Sequence, residues 1–398
     1  MLPLLDPEER VVIGESATRL VEGEPLLHPR FLSLLQRVRR ALPKAPLQVT
    51  TNGLLLTEPL QRALVGLAPI ELVVSVNSLD PSQRKLWLGD PQPERTLAQL
   101  EALGRNGLTF QASFVLAPPF LDQFPSVLRR VETWGAAYVR LLLPGGSRLT
   151  PVALQGSWDS WCALSEQIRL WREEVSIPCV LEPPLLFDLQ AEVEGVLPNS
   201  PAVQAGLQPG DRIERIDGKA PFSRQDAFQA IAAAASPHLT VLRRGQRLEV
   251  RLEKEANQRS GLVFSRDITR QSLERTLSSL PVRGRGLTLT GELALPILRA
   301  AWKSLDVHLP LVAVPNRTFG GSIRAAGLLT LADMRATLEE LAAPACPLSP
   351  SRRQEGIGRK WDWLLLPATP FEEGCDLCGA SLADFERDAG VPVFLAES

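Results

Sequence analysis

The chain has 398 residues, of which 44% are hydrophobic and 22% charged. That is enough for two or three domains with real cores, and it excludes a disordered or fibrous polymer. The net charge of −2 gives no electrostatic footprint for nucleic acid or a membrane surface, and no apolar run reaches the ~18 residues of a membrane helix. The opening MLPLLDPEER lacks the basic start and apolar core of a signal peptide, and five cysteines, an odd number, argue against a disulfide framework, so a cytoplasmic protein is expected.

Taken in chain order, residues 7 to about 185 alternate between helix-period and strand-like runs. A helix is expected over Pro7–Ser16 and a short strand over Thr18–Glu22, ending in Gly23-Glu24-Pro25. Pro29–Leu42 has apolar residues at i, i+3, i+4 spacing and reads as an amphipathic helix with proline near its first turn. Leu47–Gly53 is a strand, and Thr57 is placed to cap the helix after it. Strands are expected over Ile70–Ser78, Thr109–Leu116 and Tyr138–Leu143, and helices over Pro93–Asn106, Gln123–Trp134 and Trp158–Glu174. This alternation means parallel βαβ units, and apolar runs such as ELVVSV suit a sheet buried on both faces, in a barrel or an open doubly wound sheet. Functional residues then belong at the C-terminal ends of the strands.

The texture changes after Glu182-Pro183-Pro184. AEVEGVL, DRIERIDG, LTVLRRG and QRLEVRLEKE read as short strands with turn signals between them, interrupted by a helix over Arg224–Ala235. A third region from Asp267 holds helices over Leu293–Ser304 and Leu331–Leu341, and strands LPLVAVP and WDWLLLP. Residues 343–360 form a long Pro/Ser/Arg/Gly-rich loop. The expected divisions are residues 1–185, 186–265 and 266–398.

Within the middle region, Ser200-Pro201-Ala202, Ala205-Gly206-Leu207, Gly210-Asp211, Ile213 and Ile216-Asp217-Gly218 follow one another from about Glu192 to Phe264. Gly206 and Gly210 sit where tight turns need positive φ, Asp217-Gly218 is a hairpin turn signal, and Val193, Val196, Ile213 and Ile216 would fill a small core. The stretch resembles the PDZ family in its bacterial arrangement. That resemblance implies a groove that extends a sheet edge with a peptide strand, filled by a separate peptide or by a segment of the same chain. Gly261, Leu262, Val263 and Phe264 resemble the family's carboxylate-binding loop, or else form only the closing strand.

Gly23-Glu24-Pro25, then His28-Pro29, a helix and Thr51-Asn52-Gly53 resemble the radical SAM family through about residue 150. The resemblance implies a partial TIM-like barrel with S-adenosylmethionine and a [4Fe–4S] cluster as cofactors. Glu24 would pair with the ammonium of S-adenosylmethionine, Gly23 would let the backbone approach, and Asn52, Ser75 and Asn77 at strand ends are candidate ligand contacts. Glu22 stands where the family has its first glycine. The family's Cys-x3-Cys-x2-Cys cluster loop is absent, since no cysteine precedes Cys162. Either the loop lies upstream of Met1, or the chemistry has been lost.

From Thr290-Gly291-Glu292 through Asn316-Arg317-Thr318-Phe319-Gly320-Gly321 to Ala326-Gly327-Leu328, the chain resembles the C-terminal domain of unknown function found beside radical SAM and PDZ modules in iron–sulfur oxidoreductases. There the PDZ module comes first, whereas here it stands between the other two. Asn316, Gly320, Gly321 and Gly327 would aim backbone N–H groups at a ligand, or form a glycine turn between buried strands. Cys375 and Cys378, with Cys346, could hold a metal or cycle between dithiol and disulfide, or be two thiols in a turn.

The expected fold is α/β: a partial radical SAM-type barrel, a central PDZ-like β-rich domain and a C-terminal α/β domain. The expected function is a radical SAM-type iron–sulfur oxidoreductase, truncated or degenerate at the cluster loop, with a non-catalytic peptide-binding or scaffold protein as the alternative.

Overall fold

The computed structural model describes residues 10–14, 23–342 and 361–397. They divide into two compact units. The first is Met1–Pro144, Asp159–Glu182 and Glu194–Gln204, and the second is Gly145–Trp158, Pro183–Val193 and Ala205–Ser398.

The first unit is built from β1 (Val11–Ile13), α1 (Phe31–Ala41), β2 (Leu47–Thr51), α2 (Glu58–Val65), β3 (Ile70–Ser75), α3 (Pro81–Leu88), α4 (Pro93–Arg105), β4 (Thr109–Val115), α5 (Phe124–Thr133), β5 (Tyr138–Leu142), α6 (Trp158–Arg172) and β6 (Cys179–Glu182). It also holds β7 (Gly195–Val196) and a single turn, α7 (Pro201–Gln204). Strands β1 to β6 form one parallel sheet in sequential order. Winding always in the same direction is the arrangement of a TIM-like barrel, here a partial one.

Parallel register gives this sheet two different faces. Val49, Leu72 and Phe110 form one row, and Phe114, Leu141 and Leu181 another. All are buried, and Phe114 stacks at 4.7 Å on Phe124 of α5, which packs at 4.6 Å on Trp171 of α6. The opposite face is polar. It carries Gln48 beside Glu71, then Thr50, Val73, Gln111 and Tyr138, then Ser75, Ser113, Arg140 and Val180. Arg140 forks onto Glu182 with Nε–Oε1 at 3.0 Å and Nη2–Oε2 at 2.6 Å, and Arg10 reaches Gln48 at 2.6 Å and Glu71 at 3.6 Å. Burial first, then the charge of Glu71, pushes the Tyr138 phenol up to about 12.

Three local expectations change. Val11–Ile13 lies within the helix expected over Pro7–Ser16 but is a strand, because β-branched residues pair well beside β2, with Val11 opposite Leu47. The strand expected over Thr18–Glu22 lies outside the described residues. Thr57 stands at the N-cap of α2, but its side chain makes no capping bond, and only its carbonyl accepts, from Gln61 N–H at 2.9 Å. Helix α3 was not anticipated, although Asp80 before Pro81 signals it: the Asp80 carboxylate accepts from Ser82 N–H at 2.7 Å and Gln83 N–H at 3.2 Å.

The second unit contains β8 (Arg212–Ile216), α8 (Arg224–Ala233), β9 (His238–Arg243), β10 (Gln246–Arg251) and β11 (Leu262–Val263). Strands β8, β9 and β10 form an antiparallel sheet. Asp217 and Gly218 take φ of +48° and +79°, and Arg244 and Gly245 take +47° and +82°, the paired positive values of tight hairpin turns. Val193, Val196, Ile213 and Ile216 are all buried. The Gly210-Asp211 motif has an electrostatic purpose as well. Asp211 is fully buried, and Arg243 forks onto it with Nε–Oδ1 at 2.6 Å and Nη2–Oδ2 at 2.7 Å. Gln208 N–H donates to Asp211 at 2.9 Å, and Arg243 also donates to the Gly206 carbonyl at 2.7 Å, so one ion pair closes both glycine turns.

The rest of this unit is α9 (Arg270–Ser279), β12 (Gly286–Gly291), α10 (Leu295–Ser304), β13 (Leu311–Val314), α11 (Leu331–Ala342), β14 (Trp363–Pro367), α12 (Leu382–Ala389) and β15 (Val393–Ala396). The four strands are parallel in the order β13-β12-β14-β15. Alternate residues of β14 serve different cores. Leu364 and Leu366 pack with Met334, Leu341 and Phe385, while Trp363 and Leu365 pack with Leu273, Ala301 and Trp302. Helices therefore cover both faces, as a parallel sheet requires. Gly286 is obligatory here, since a Cβ would lie 2.1 Å from the Trp363 ring.

Replacing Asp211 by Ala leaves Arg243 without its partner and should cost the second unit about 3 kcal/mol in urea unfolding. A loss below about 1 kcal/mol would mean that the pair does not hold the turns. Tyr138 is the chain's one tyrosine, so its phenolate titration by ultraviolet absorbance is unambiguous. The midpoint is expected near 12 in the folded chain, against 10 when unfolded. The neutral phenol thus contributes stability that is complete below 10 and lost as the pH rises towards 12.

Candidate functional site

Two of the sequence motifs meet at the C-terminal end of β2. Glu24 opens a 3-10 turn over Pro25–Leu27, and its Oε1 accepts from Leu26 N–H at 3.1 Å. The same oxygen accepts from the Thr51 hydroxyl at 2.7 Å, and Oε2 accepts from Asn52 N–H at 2.7 Å. Gly53, at φ +82°, makes the bend possible, because a Cβ there would strike Leu100 at 2.7 Å. Thr51 Oγ1 takes Gly53 N–H at 3.1 Å and Asn52 Oδ1 takes Leu54 N–H at 3.0 Å, so the Thr-Asn-Gly turn fastens itself. A carboxylate offers about four acceptor positions, and Glu24 uses three of them on its own chain. Among the described residues no cation pairs with it. Gly23 leaves the backbone open, since a Cβ there would meet nothing within 4 Å.

Glu24 and Asn52 border a cavity of about 290 Å3 that is also lined by Leu27, Leu54, Leu55 and Thr57, and by Asp90, Pro91, Gln92, Arg95 and Thr96. Asp90 is buried and matched by buried Arg84, with Nε–Oδ2 at 2.9 Å. Arg84 Nη1 donates in turn to the carbonyls of Val76 at 2.6 Å and Ser78 at 3.2 Å, just beyond β3. The pair ties the wall of the cavity to the end of a barrel strand. Asp90 Oδ1 accepts from Gln92 N–H at 3.0 Å and Thr96 Oγ1 at 3.2 Å. Sequence reasoning missed this wall because it missed α3; the Asp80-Pro81 signal that starts α3 also places Asp90 and Arg95 beyond its end.

Ser75 and Asn77 do not line this cavity. Ser75 lies on the polar face of the barrel beside Ser113. Asn77, at φ +54°, gives its Oδ1 to Val115 N–H at 2.8 Å and extends the edge between β3 and β4. Of the proposed ligand contacts, the structure therefore brings together Glu24 and Asn52.

In the second unit, Gly261 has φ +87°, Leu262 is buried, and Val263 and Phe264 are half-buried. Phe228 on α8 is 47% exposed. The N-terminus of α8 is closed by Asp267, whose carboxylate accepts from Arg224 N–H and Gln225 N–H at 2.9 Å each; burial raises its pKa. The glycine-rich loop after β13 spends its N–H groups internally. Asn316 Oδ1 takes Phe319 N–H at 2.9 Å and Gly320 N–H at 3.3 Å, and buried Asp333 takes Arg317 N–H at 2.9 Å and Thr318 N–H at 2.8 Å. Gly321, at φ +64°, lets the loop touch residue 146, whose carbonyl would be 2.2 Å from a Cβ at that position. A Cβ at Gly327 would face Thr369 at 3.9 Å. Of these glycines, Gly321 is the one that close backbone packing requires.

Cys375 sits in a small turn, with backbone bonds to Glu372, and Cys378 is exposed. Burial, then Asp376 and Asp333, raises the Cys378 thiol, the opposite of what an activated thiolate needs. Cys346 lies outside the described residues. In the barrel, Cys179 is buried and its thiol is pushed up to about 12. Among the described residues, no group of three or more His, Cys, Asp or Glu could hold a metal ion. The described residues therefore do not fit a [4Fe–4S] cluster, which needs thiolates converging on the iron. Among the described residues, no helix is long and apolar enough to cross a membrane.

Comparison with known proteins gives one family match, the PDZ domain, over residues 192–244. No curated protein matches the sequence. Among solved structures, SuiB of Streptococcus suis is similar at 14% identity and a TM-score of 0.36, over 43% of this chain and 38% of that one. The structure of SuiB bound to S-adenosylmethionine gives 15% identity and the same TM-score, with the same coverage. Archaeal TYW1 gives 17% identity and a TM-score of 0.29, over 42% of this chain and 50% of that one. The chain thus spans 38% of SuiB and half of TYW1.

Proposed function

We propose that the first unit is a radical SAM-type barrel that binds S-adenosylmethionine in the cavity at Glu24. On this reading the chain belongs to an iron–sulfur oxidoreductase of that type, and the thiolates for the cluster are not among the described residues. The observation that carries it is the Glu24 carboxylate. It is fixed by Thr51 Oγ1 and Asn52 N–H at 2.7 Å each, faces the cavity, and keeps an acceptor position without a cation. Such a pre-oriented carboxylate suits a ligand ammonium, because little side-chain freedom is lost on binding. On this reading the chain's own residues bind and orient the ligand.

A second reading has its own support. The PDZ match, together with exposed Phe228 on α8, supports a peptide-binding or scaffold protein whose groove uses residues 261–264.

Calorimetric titration of the full chain with S-adenosylmethionine should show saturable binding, weakened about tenfold in Glu24→Gln as a charge-assisted contact is lost. Absence of binding to the unmodified chain would remove the first reading. Peptide-library selection on the full chain tests the second. Selected peptides should lose about fivefold in affinity to Phe228→Ala, as expected for losing part of an apolar contact, and a library yielding no selective binder would overturn it.

A further inference from the structure

We propose that the peptide taken by the PDZ-like module is an internal, extended segment of a protein rather than a free C-terminus. The inference rests on the peptide-binding reading and names the class of its partner.

A free C-terminus brings a carboxylate, and taking it out of water requires N–H donors or a cation to receive it. The module has committed such groups to its own chain. In the loop before β11, Leu262 N–H donates to Ser260 Oγ at 3.2 Å, and both residues are buried. Gly261, at φ +87°, lets the backbone close into this small turn. The N-terminus of α8 is the module's other concentration of N–H groups. There Arg224 and Gln225 N–H donate to Asp267 at 2.9 Å each, and Asp226 N–H donates to Ser223 Oγ at 3.1 Å. The Asp267 side chain is fully buried, so the positive end of the helix already holds an anion. A second carboxylate at that end would be repelled by it.

The buried cations are committed as well. Arg224 donates to the Asp188 carbonyl at 2.6 Å and to its carboxylate at 2.8 Å, and lies 3.5 Å from Asp267. Lys254 donates Nζ to the carbonyls of Ala232, Ala234 and Glu255 at 3.1, 2.5 and 2.7 Å. Exposed Arg259 and Arg266 flank the loop in the chain. An exposed cation takes an acidic side chain within a segment as readily as a terminal carboxylate, so it does not select chain ends. Two modes of recognition remain. β11 stands in a two-stranded sheet, so one of its edges is open to main-chain pairing, and Phe228 is 47% exposed for apolar contact. An extended internal segment satisfies both without a charged end.

The test is selection on the unmodified full chain from two random peptide libraries, one ending in a free C-terminus and one followed by a fixed Gly/Ser tail. The tailed library should yield selective binders. The tightest sequence, synthesised without its tail, should bind as the free acid and as the C-terminal amide within about twofold of each other, since an exposed charge contributes little. In Ser260→Ala the Leu262 N–H is released, and the free acid should then gain about fivefold over the amide, the scale of one hydrogen bond. Binders from the free-ended library alone, or a tenfold loss on amidation with the unmodified chain, would overturn the inference and leave the peptide-binding reading standing. An unchanged ratio in a folded Ser260→Ala chain would also overturn it, because the donor would then not be what excludes a carboxylate. Failure of both libraries would overturn the reading and the inference together.

Discussion

Parallel strands cannot be joined by tight turns, and this constraint shapes both large sheets of the protein. Each strand must be followed by a crossover that returns the chain to the starting edge, so every strand ends at the same edge of its sheet. In the first unit the crossovers always step to the next position, which gives the sequential order β1 to β6. In the second unit the chain steps from β12 to β13 on one side, and then places β14 on the other. Backbone polar groups must be paired when buried, so helices cover the strands, and the chemistry is left to the loops beyond the strand ends.

Glu24 shows what that geometry makes possible. Adjacent parallel strands bring the ends of β1 and β2 side by side, and a carboxylate on the segment that follows β1 can then take both the hydroxyl and the N–H offered beyond β2. Arg84 has a corresponding role at the neighbouring strand. Its bonds to Val76 and Ser78 fasten the loop that carries Asp90, just before α4, to the end of β3. A buried ion pair of this kind adds little net stability. Its worth lies in geometry, since it fixes where the Asp90 carboxylate stands.

Much of this was readable in the residues. The helices over 31–41 and 93–105, the strands over 47–51 and 109–115, and the hairpin at Asp217-Gly218 all follow from periodicity and turn chemistry. Local rules failed where two patterns compete. Val11-Val12-Ile13 is too short to declare a period, and only its pairing with β2 makes it a strand. Cys375 and Cys378 left a metal site and a turn of two thiols both open, and among the described residues no third ligand joins them. The glycines of the 316–321 loop pointed equally to a ligand and to packing. The N–H groups of residues 317 to 320 are taken by Asp333 and Asn316, and Asp333 lies fifteen residues beyond Thr318, a separation that no local reading spans.

The sequence by itself determined the α/β alternation, the PDZ-like stretch with its hairpin turn at Asp217-Gly218, and the presence of the Gly-Glu-Pro and Thr-Asn-Gly motifs, because each of these depends on residues near each other in the chain. Tertiary structure alone decided what those motifs touch. It joined Glu24 to Thr51 and Asn52, twenty-seven and twenty-eight residues away, and Asp211 to Arg243, thirty-two residues away. It also brought Glu24 and Arg95 to the wall of one cavity. Hydrogen bonds and ion pairs act over a few ångströms of space, whatever the distance along the chain, and only the packing of strands and crossovers fixes which charges come within that reach.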